Sequence, residues 1–201
     1  MIKLIYITFD ALLQIKRNPT VTFTNLSLCL LFSILLSGLG RVYLVITKAK
    51  LENQQQLDTF SLVDAQQQLI FFLTLLQILT AAALITAAVL GALYCRSIYM
   101  KHFLAAKEEF ATMKYVGASS SYIALTLFLE TWLIFLLGFA LATKFVRLLY
   151  LTVANHASHS LRIYLIQPVY FKAAIELPLL AAITLLIIAL ALTVRRKINA
   201  Y

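Results

Sequence analysis

One acidic residue, Glu130, lies well inside an apolar stretch of the sequence and is placed where a titratable group could do chemistry in a membrane. Insertion of such a residue at mid-membrane costs about 3 kcal/mol on translocon scales, so intramembrane acids commonly mark functional sites. The roles open to Glu130 are a proton relay, a partner for an arginine or lysine, and a hydrogen bond to helix ends. We expect no second acid, histidine or arginine deep in another apolar stretch, which favours a structural polar contact over proton transfer.

The sequence offers few other residues for catalysis or metal binding. His156 and His159 would share a helix face, but a zinc site needs three or four ligands, so we predict two loop histidines. Cys29 and Cys95 fall inside apolar stretches, where small buried hydrophobic residues are expected rather than a disulfide. No nucleophile and base are paired in a recognisable pattern. We therefore predict that the chain is not an enzyme and holds no metal or cofactor of its own.

A compact charged segment, residues 107–118, separates two long apolar stretches. The pattern is helical, without glycine or proline, as far as Tyr115. Gly117 is expected at the helix C-cap, because a positive φ angle is cheap for glycine, and Ser119 to Ser121 can supply the next N-cap. The segment predicts a helix, a sharp turn and a helix, with an exposed apolar edge at the methionine, tyrosine and valine before the glycine. It is either a solvated loop or a docking element for a cytosolic partner.

The elements that must position these residues are strongly apolar. Of the 201 residues, 62% are hydrophobic and only 12% are charged, and the mean hydropathy is +0.91, which is unlike a soluble domain. Residues 21–46, 69–95, 122–142 and 177–194 are each long enough to cross a hydrocarbon core of about 30 Å as a helix. The runs are continuous rather than alternating, so we predict an all-α integral membrane protein with four transmembrane helices in a domain at residues 21–201.

Residues 1–20 are predicted to form an amphipathic helix that lies in the membrane surface before the first span. Lys3, Asp10 and Arg17 would fall on one face, with apolar residues on the other. The alternative is a simple extension of the first transmembrane helix. We expect no cleavable signal peptide, since no small-residue cleavage site follows a short apolar core.

The net charge of +9 is distributed along the ends of the apolar stretches, which argues against nucleic-acid binding. More lysines and arginines fall on the cytoplasmic side if the N-terminus is inside, and Arg195-Arg196-Lys197 directly follow the last span. The positive-inside rule then predicts that both termini are cytoplasmic.

Residues 47–68 and 143–172 are expected to be the two outer connections. The first contains no glycine or proline, so both flanking helices should continue outward as a short stalk.

In the second span, Ala83, Ala87 and Gly91 recur every four residues, a spacing that allows close helix contact in lipid. This seam would serve either packing within the subunit or a homodimer, and the sequence leaves both open.

Residues 106–119, Ala-Lys-Glu-Glu-Phe-Ala-Thr-Met-Lys-Tyr-Val-Gly-Ala-Ser, resemble the inner-loop motif of FtsX-like permeases. In that motif a basic residue and one or two glutamates precede an apolar-Met-basic-apolar-Val-Gly-Ala run. Phe128-Leu129-Glu130, followed by Gly138, is similar to the opening of the third helix in this family and its later glycine. Residues 11–19 are similar to the amphipathic lead-in before the family's first helix. The resemblance covers most of the predicted transmembrane region of the chain.

The resemblance implies a transmembrane subunit of an ABC transporter complex of the mechanotransmission type, in the bacterial plasma (inner) membrane. Two copies of the chain would pair with two cytosolic ATPase subunits resembling FtsE, and these would bind ATP and Mg²⁺. This chain has no phosphate-binding loop of its own. The inner-loop segment would be the coupling helix, and its implied contacts with the ATPase are Lys107, Glu108, Glu109, Met113, Lys114 and Gly117.

The chain departs from the family pattern between the first two helices. FtsX-like proteins usually carry a folded domain there that engages outer partners, whereas this connection is too short for a folded domain. The expected function is conversion of ATPase cycling into movement of the outer loops, within the family's role in cell division and cell-wall regulation and with an extracytoplasmic protein as a candidate partner. The alternatives are a peptide or lipid exporter and a non-transport membrane scaffold.

Overall fold

The structure is a computed structural model that describes residues 8, 13, 16, 19–57, 63–105, 107–157, 165 and 168–199. These residues are helical apart from short turns, and they include no strand, which confirms the all-α prediction for this part of the chain. The elements are α1 (Pro19–Leu57), α2 (Val63–Ala105), α3 (Lys107–Tyr115), α4 (Ser120–His156), α5 (Pro168–Phe171), a π-helical turn (Lys172–Glu176) and α6 (Leu177–Asn199).

Within the part of the chain that the structure describes, four helical segments are long and apolar enough to cross a membrane. They are Thr22–Gln55, Gln67–Lys101, Ser120–His156 and Lys172–Arg196. Each coincides with one of the predicted spans, so the prediction of four helices of membrane-spanning length and composition is confirmed.

Helices α1, α2 and α4 are much longer than a membrane requires. They contain 39, 43 and 37 residues, which corresponds to about 55–65 Å at about 1.5 Å per residue. The predicted helical continuation through the first outer connection is confirmed as far as Leu57 and again from Val63. Residues 143–156, which the sequence analysis assigns to the second outer connection, are helical rather than a loop, because no glycine or proline interrupts α4 before His156.

Two other predictions concern the ends of these helices. His156 is the last residue of α4 rather than a loop residue, and its Nδ1 lies 2.8 Å from the Thr152 carbonyl oxygen. His159 lies outside the described residues. Pro19 begins α1, where its missing N–H forfeits no helical hydrogen bond. The amphipathic helix predicted for residues 1–20 falls outside the described part of the chain except at isolated positions and at the start of α1.

The chain divides into two compact units, and each is described by itself. The first unit comprises Met1–Leu31, Leu90–Leu141 and Leu179–Tyr201, and the second comprises Phe32–Val89 and Ala142–Pro178. The core of the first unit is a cluster of buried residues from α2, α3, α4 and α6. Its members are Cys95, Tyr99, Phe103, Phe110, Ile123, Leu127, Ile187, Leu190 and Val194. Cys95 is buried in this core, as the sequence predicts for a small apolar side chain.

Within the first unit, α1 and α4 approach each other closely at Gly138. A Cβ atom on Gly138 would lie 3.0 Å from Cys29 Sγ and 3.2 Å from Cys29 Cβ. The Cys29 thiol donates a hydrogen bond to the Phe135 carbonyl oxygen at 3.6 Å. Glycine therefore permits this close approach, as small residues do between helices in lipid.

In the second unit, Gln77 links α2 to α1 although it lies within an apolar span. Its Nε2 donates to Thr47 Oγ1 at 3.1 Å, and its Oε1 accepts from Lys50 Nζ at 3.3 Å. The amide is satisfied on both sides, as a polar group within an apolar span requires.

Candidate functional site

Gly117 ends α3 in the left-handed region of the backbone, with φ at +96°. The Gly117 amide donates to the Lys114 carbonyl at 3.0 Å, and the Ala118 amide donates to the Met113 carbonyl at 2.9 Å. These two bonds form the Schellman motif, which satisfies carbonyls that the end of the helix leaves open. The prediction of a C-cap at Gly117 is confirmed.

Ser119, two residues after Gly117, is the N-cap of α4. Its Oγ accepts a hydrogen bond from the Tyr122 amide at 3.3 Å, which is the N-cap arrangement predicted for this serine cluster. Only four residues, 116–119, separate α3 from α4. The turn is therefore fixed by capping on both sides, and the end of α3 has a defined direction.

The inner face of α3 is anchored in the core of the first unit. Phe110 is buried, and its ring stacks on Phe103 of α2 with a centroid distance of 6.0 Å. Met113 is half-buried and packs against the same core. The predicted exposed apolar edge is therefore wrong for Met113, because it lies on the same side of the helix as Phe110.

The opposite face of α3 is exposed and is the candidate docking face. It consists of Glu108, Ala111, Thr112, Tyr115 and Val116, and the four helical members follow the spacing of one helix face. Tyr115 is 93% exposed and Val116 is 84% exposed. An aromatic and a branched aliphatic side chain that are almost fully in solvent, on a helix face that also carries an exposed acid, form the kind of surface that a protein partner covers.

The other ATPase contacts that the family resemblance implies lie at different positions on α3 and its cap. Lys114 is exposed at the border of the docking face, and its carbonyl takes part in the helix cap. Gly117 is exposed and sets the backbone. Lys107 and Glu109 belong to α3, but their side chains lie outside the described part of the structure. The structure thus places Glu108 and Tyr115 on the same exposed face of α3, two helical turns apart, and Met113 on the face that packs against the core.

Glu130 lies in α4 among other buried polar residues of the first unit. It is 3% exposed, and Thr126 and Thr131 on either side are also buried. Each threonine hydroxyl donates to a carbonyl one turn earlier in α4. Glu130 lies within electrostatic range of Tyr99, whose buried hydroxyl has no hydrogen-bond partner among the described residues. The structural polar contact expected for Glu130 stays a prediction.

A buried ion pair in the second unit was not predicted from the sequence. Arg41 of α1 is 3% exposed, and its Nη2 lies 2.6 Å from Glu176 Oε1. The expectation that no arginine lies deep in another span stays a prediction, because burial inside the protein does not give depth in the membrane. The finding is a buried arginine within the candidate span Thr22–Gln55. The signal that could have revealed it is the spacing of Ser33, Ser37 and Arg41, which places three polar residues on one face of an apolar helix.

The chain was compared with known proteins in three ways. A scan against protein-family models, a search of curated proteins and a search of solved structures found no match. The resemblance to FtsX-like permeases therefore rests on the motif residues alone. The functional assignment rests on what the docking face and its anchoring allow.

Proposed function

We propose that the chain is the transmembrane subunit of an ABC-type complex in the bacterial plasma membrane, which couples the cycle of a cytosolic ATPase to conformational change outside. The observation that carries this proposal is the docking face. It is an exposed apolar and acidic surface on a short helix whose other side is buried in the core. A segment that is only a solvated loop would not need caps that fix its direction together with an inner face packed into the core.

The anchoring of α3 supplies a physical link between the docking face and the spans. Phe110 packs in one cluster with residues of α2, α4 and α6. Close-packed interiors transmit displacements because they resist compression. A partner that binds one arrangement of these helices more tightly in its ATP-bound form would shift the chain toward that arrangement.

Exposed basic residues support a cytoplasmic location for α3 and for the helix ends near it in the first unit. Arg96, Lys101, Lys114, Arg195 and Arg196 are all exposed, and all belong to the first unit. Lysine and arginine next to the ends of spans favour the cytoplasmic side. Both termini would then be cytoplasmic, in reach of a soluble ATPase.

The proposed complex contains two copies of the chain and two ATPase subunits that resemble FtsE and hold ATP and Mg²⁺. In the apolar window of the segment Gln67–Lys101, none of the described residues is buried, so lipid or the second copy would cover its exposed side chains. The ends of α1 and α2 beyond the membrane would meet an extracytoplasmic partner. Cell division and cell-wall regulation are the processes that the resemblance favours.

The test is affinity purification of the tagged chain from its native host in mild detergent, followed by mass spectrometry. We expect a stoichiometric ABC ATPase that is lost when Glu108→Lys and Glu109→Lys are combined. Lys101→Glu, a charge reversal at an exposed position off the docking face, should keep it. Normal ATPase binding by the double reversal would contradict the coupling role. A folded, abundant chain without any nucleotide-binding protein would leave the membrane scaffold as the function.

A further inference from the structure

The Arg41–Glu176 pair is built into a close contact between α1 and the π-helical turn of the second unit. The guanidinium carbon of Arg41 lies 5.2 Å from the ring centroid of Phe171, which is itself fully buried. The neighbouring Gly40 lets α1 approach the turn, because a Cβ atom there would lie 3.1 Å from Ile175 Cγ2. Single π turns inside helices occur frequently at functional sites.

The ion pair leaves most of the guanidinium's hydrogen-bonding capacity unused. Arg41 Nη2 donates to Glu176, but the buried Nε and Nη1 have no hydrogen-bond partner among the described residues. Ser37, one helical turn earlier on the same face of α1, is fully buried, and its Oγ also lacks a described partner. Buried donors of a charged group are costly to leave unpaired, so this cluster of donors requires an acceptor.

Helix length sets the expected depth of the pair when Pro19 and Arg195 are taken to mark one boundary of the hydrocarbon core. From Pro19 to Arg41, α1 rises about 33 Å, and from Glu176, the last residue of the π turn, to Arg195 in α6 the rise is about 28 Å. Each length is close to the thickness of the core, so we expect the pair near the opposite boundary. This is the depth at which lipid phosphates and soluble anions meet a membrane protein. Glu176 is the more open member of the pair, with 19% of its side chain exposed against 4% for Arg41.

We propose that Arg41 is the recognition group of a binding site for an anionic oxygen group, a phosphate or carboxylate, at this membrane boundary. Guanidinium groups favour such anions because their planar donors match the oxygens. The anion would accept from Nε or Nη1, with Ser37 as a further hydrogen-bonding group. Glu176 accepts from Nη2 of the same guanidinium, so a bound anion and the Glu176 carboxylate repel each other, and anion binding weakens the ion pair and the contact between α1 and the π turn.

The competition gives the site a distinctive signature. Glu176→Gln removes the competing charge and should tighten anion binding at least about tenfold. Arg41→Gln combined with Glu176→Gln removes both charges without leaving either one buried and unpaired, and it should abolish specific binding. Arg147→Gln, which removes an exposed cation of α4 in the same unit, should leave binding unchanged.

The experiment is native mass spectrometry of the purified full chain in detergent, titrated with phosphatidylglycerol. Phosphatidylcholine, which carries no net charge, is the control lipid. A second arm adds inorganic phosphate and measures displacement of the anionic lipid. Preferential retention of phosphatidylglycerol that follows the expected order of variants supports the site. Displacement by millimolar phosphate assigns it to soluble anions, and resistance assigns it to lipid headgroups.

Equal retention of both lipids, or equal retention of phosphatidylglycerol by the wild type, Glu176→Gln and the double variant, would overturn the proposal. If lipid retention is equal and phosphate displaces no lipid, water alone satisfies the remaining hydrogen-bond donors of Arg41. The measurement requires no ATPase. Its failure is therefore distinguishable from failure of the proposed coupling function.

Discussion

At the scale of single residues, Gly117 fixes the direction in which the docking face points. Its φ of +96° is rarely adopted by residues with a side chain, although a Cβ atom there would meet nothing within 4 Å. Gly38 in α1 has equally open surroundings but no positive φ. Steric crowding is therefore absent at both glycines, and the two positions differ in backbone strain.

The same substitution should have opposite effects at these two positions. Gly117→Ala should lower the free energy of unfolding by about 1–2 kcal/mol, because it forces a left-handed conformation on alanine. Gly38→Ala should raise it by up to about 1 kcal/mol, because alanine favours the helix. Unfolding of the purified variants in mixed micelles measures both. Destabilisation of equal size at both glycines would contradict the assignment of Gly117 as a strained cap.

At the scale of elements, α3 depends on its anchor. A helix of nine residues is too short to be stable alone in water, so its persistence must come from packing and caps. Phe110 supplies the packing through its contact with Phe103, and Gly117 supplies the cap. Loss of the anchor should therefore free α3 before it disturbs α4.

Hydrogen exchange of the purified chain tests this anchoring directly. Phe110→Ala should accelerate exchange of the α3 amides markedly, whereas Phe110→Leu should do so only slightly, because leucine refills most of the space. Leu104→Ala, which truncates an exposed apolar side chain on α2, is the control and should leave α3 protected. Unchanged exchange of α3 in Phe110→Ala would show that this phenylalanine is not the anchor.

The crossing of α1 and α4 at Gly138 is a second property of elements. Gly138→Ala should cost about 1–3 kcal/mol, because the added methyl group would overlap Cys29. Adding Cys29→Ala should recover part of that loss, since it removes the sulfur at 3.0 Å but keeps the Cβ at 3.2 Å. A double-mutant cycle measured by unfolding in micelles gives the coupling energy. Strictly additive losses would mean that the two residues do not touch.

At the scale of the whole molecule, the sequence predicted those features that depend on local pattern. The four spans follow from the length and apolarity of continuous runs, and the caps at Gly117 and Ser119 follow from the backbone needs of a helix end. The length of α4 was missed because Lys144 resembles the end of a span, yet no helix breaker follows it before the end of α4.

Features that depend on packing between distant segments were not predicted. Arg41 and Glu176 are 135 residues apart, and each alone resembles a charge at the end of a span. Their pairing depends on how closely α1 approaches the π turn, which Gly40 permits. The inward side of Met113 was missed for the same reason, since the pattern of a short helix does not show which face meets the core.

The central claim is that an ABC ATPase binds the docking face, and site-specific photo-cross-linking in the native host tests it most directly. A photoreactive amino acid would replace Tyr115, and Tyr170, an exposed tyrosine of the second unit, would be the matched control. We predict a cross-link from position 115 to a single ABC ATPase, none to that ATPase from position 170, and a yield that changes when ATP hydrolysis is blocked. Cross-links from position 115 only to proteins that bind no nucleotide, or only to lipid, would contradict the proposed function.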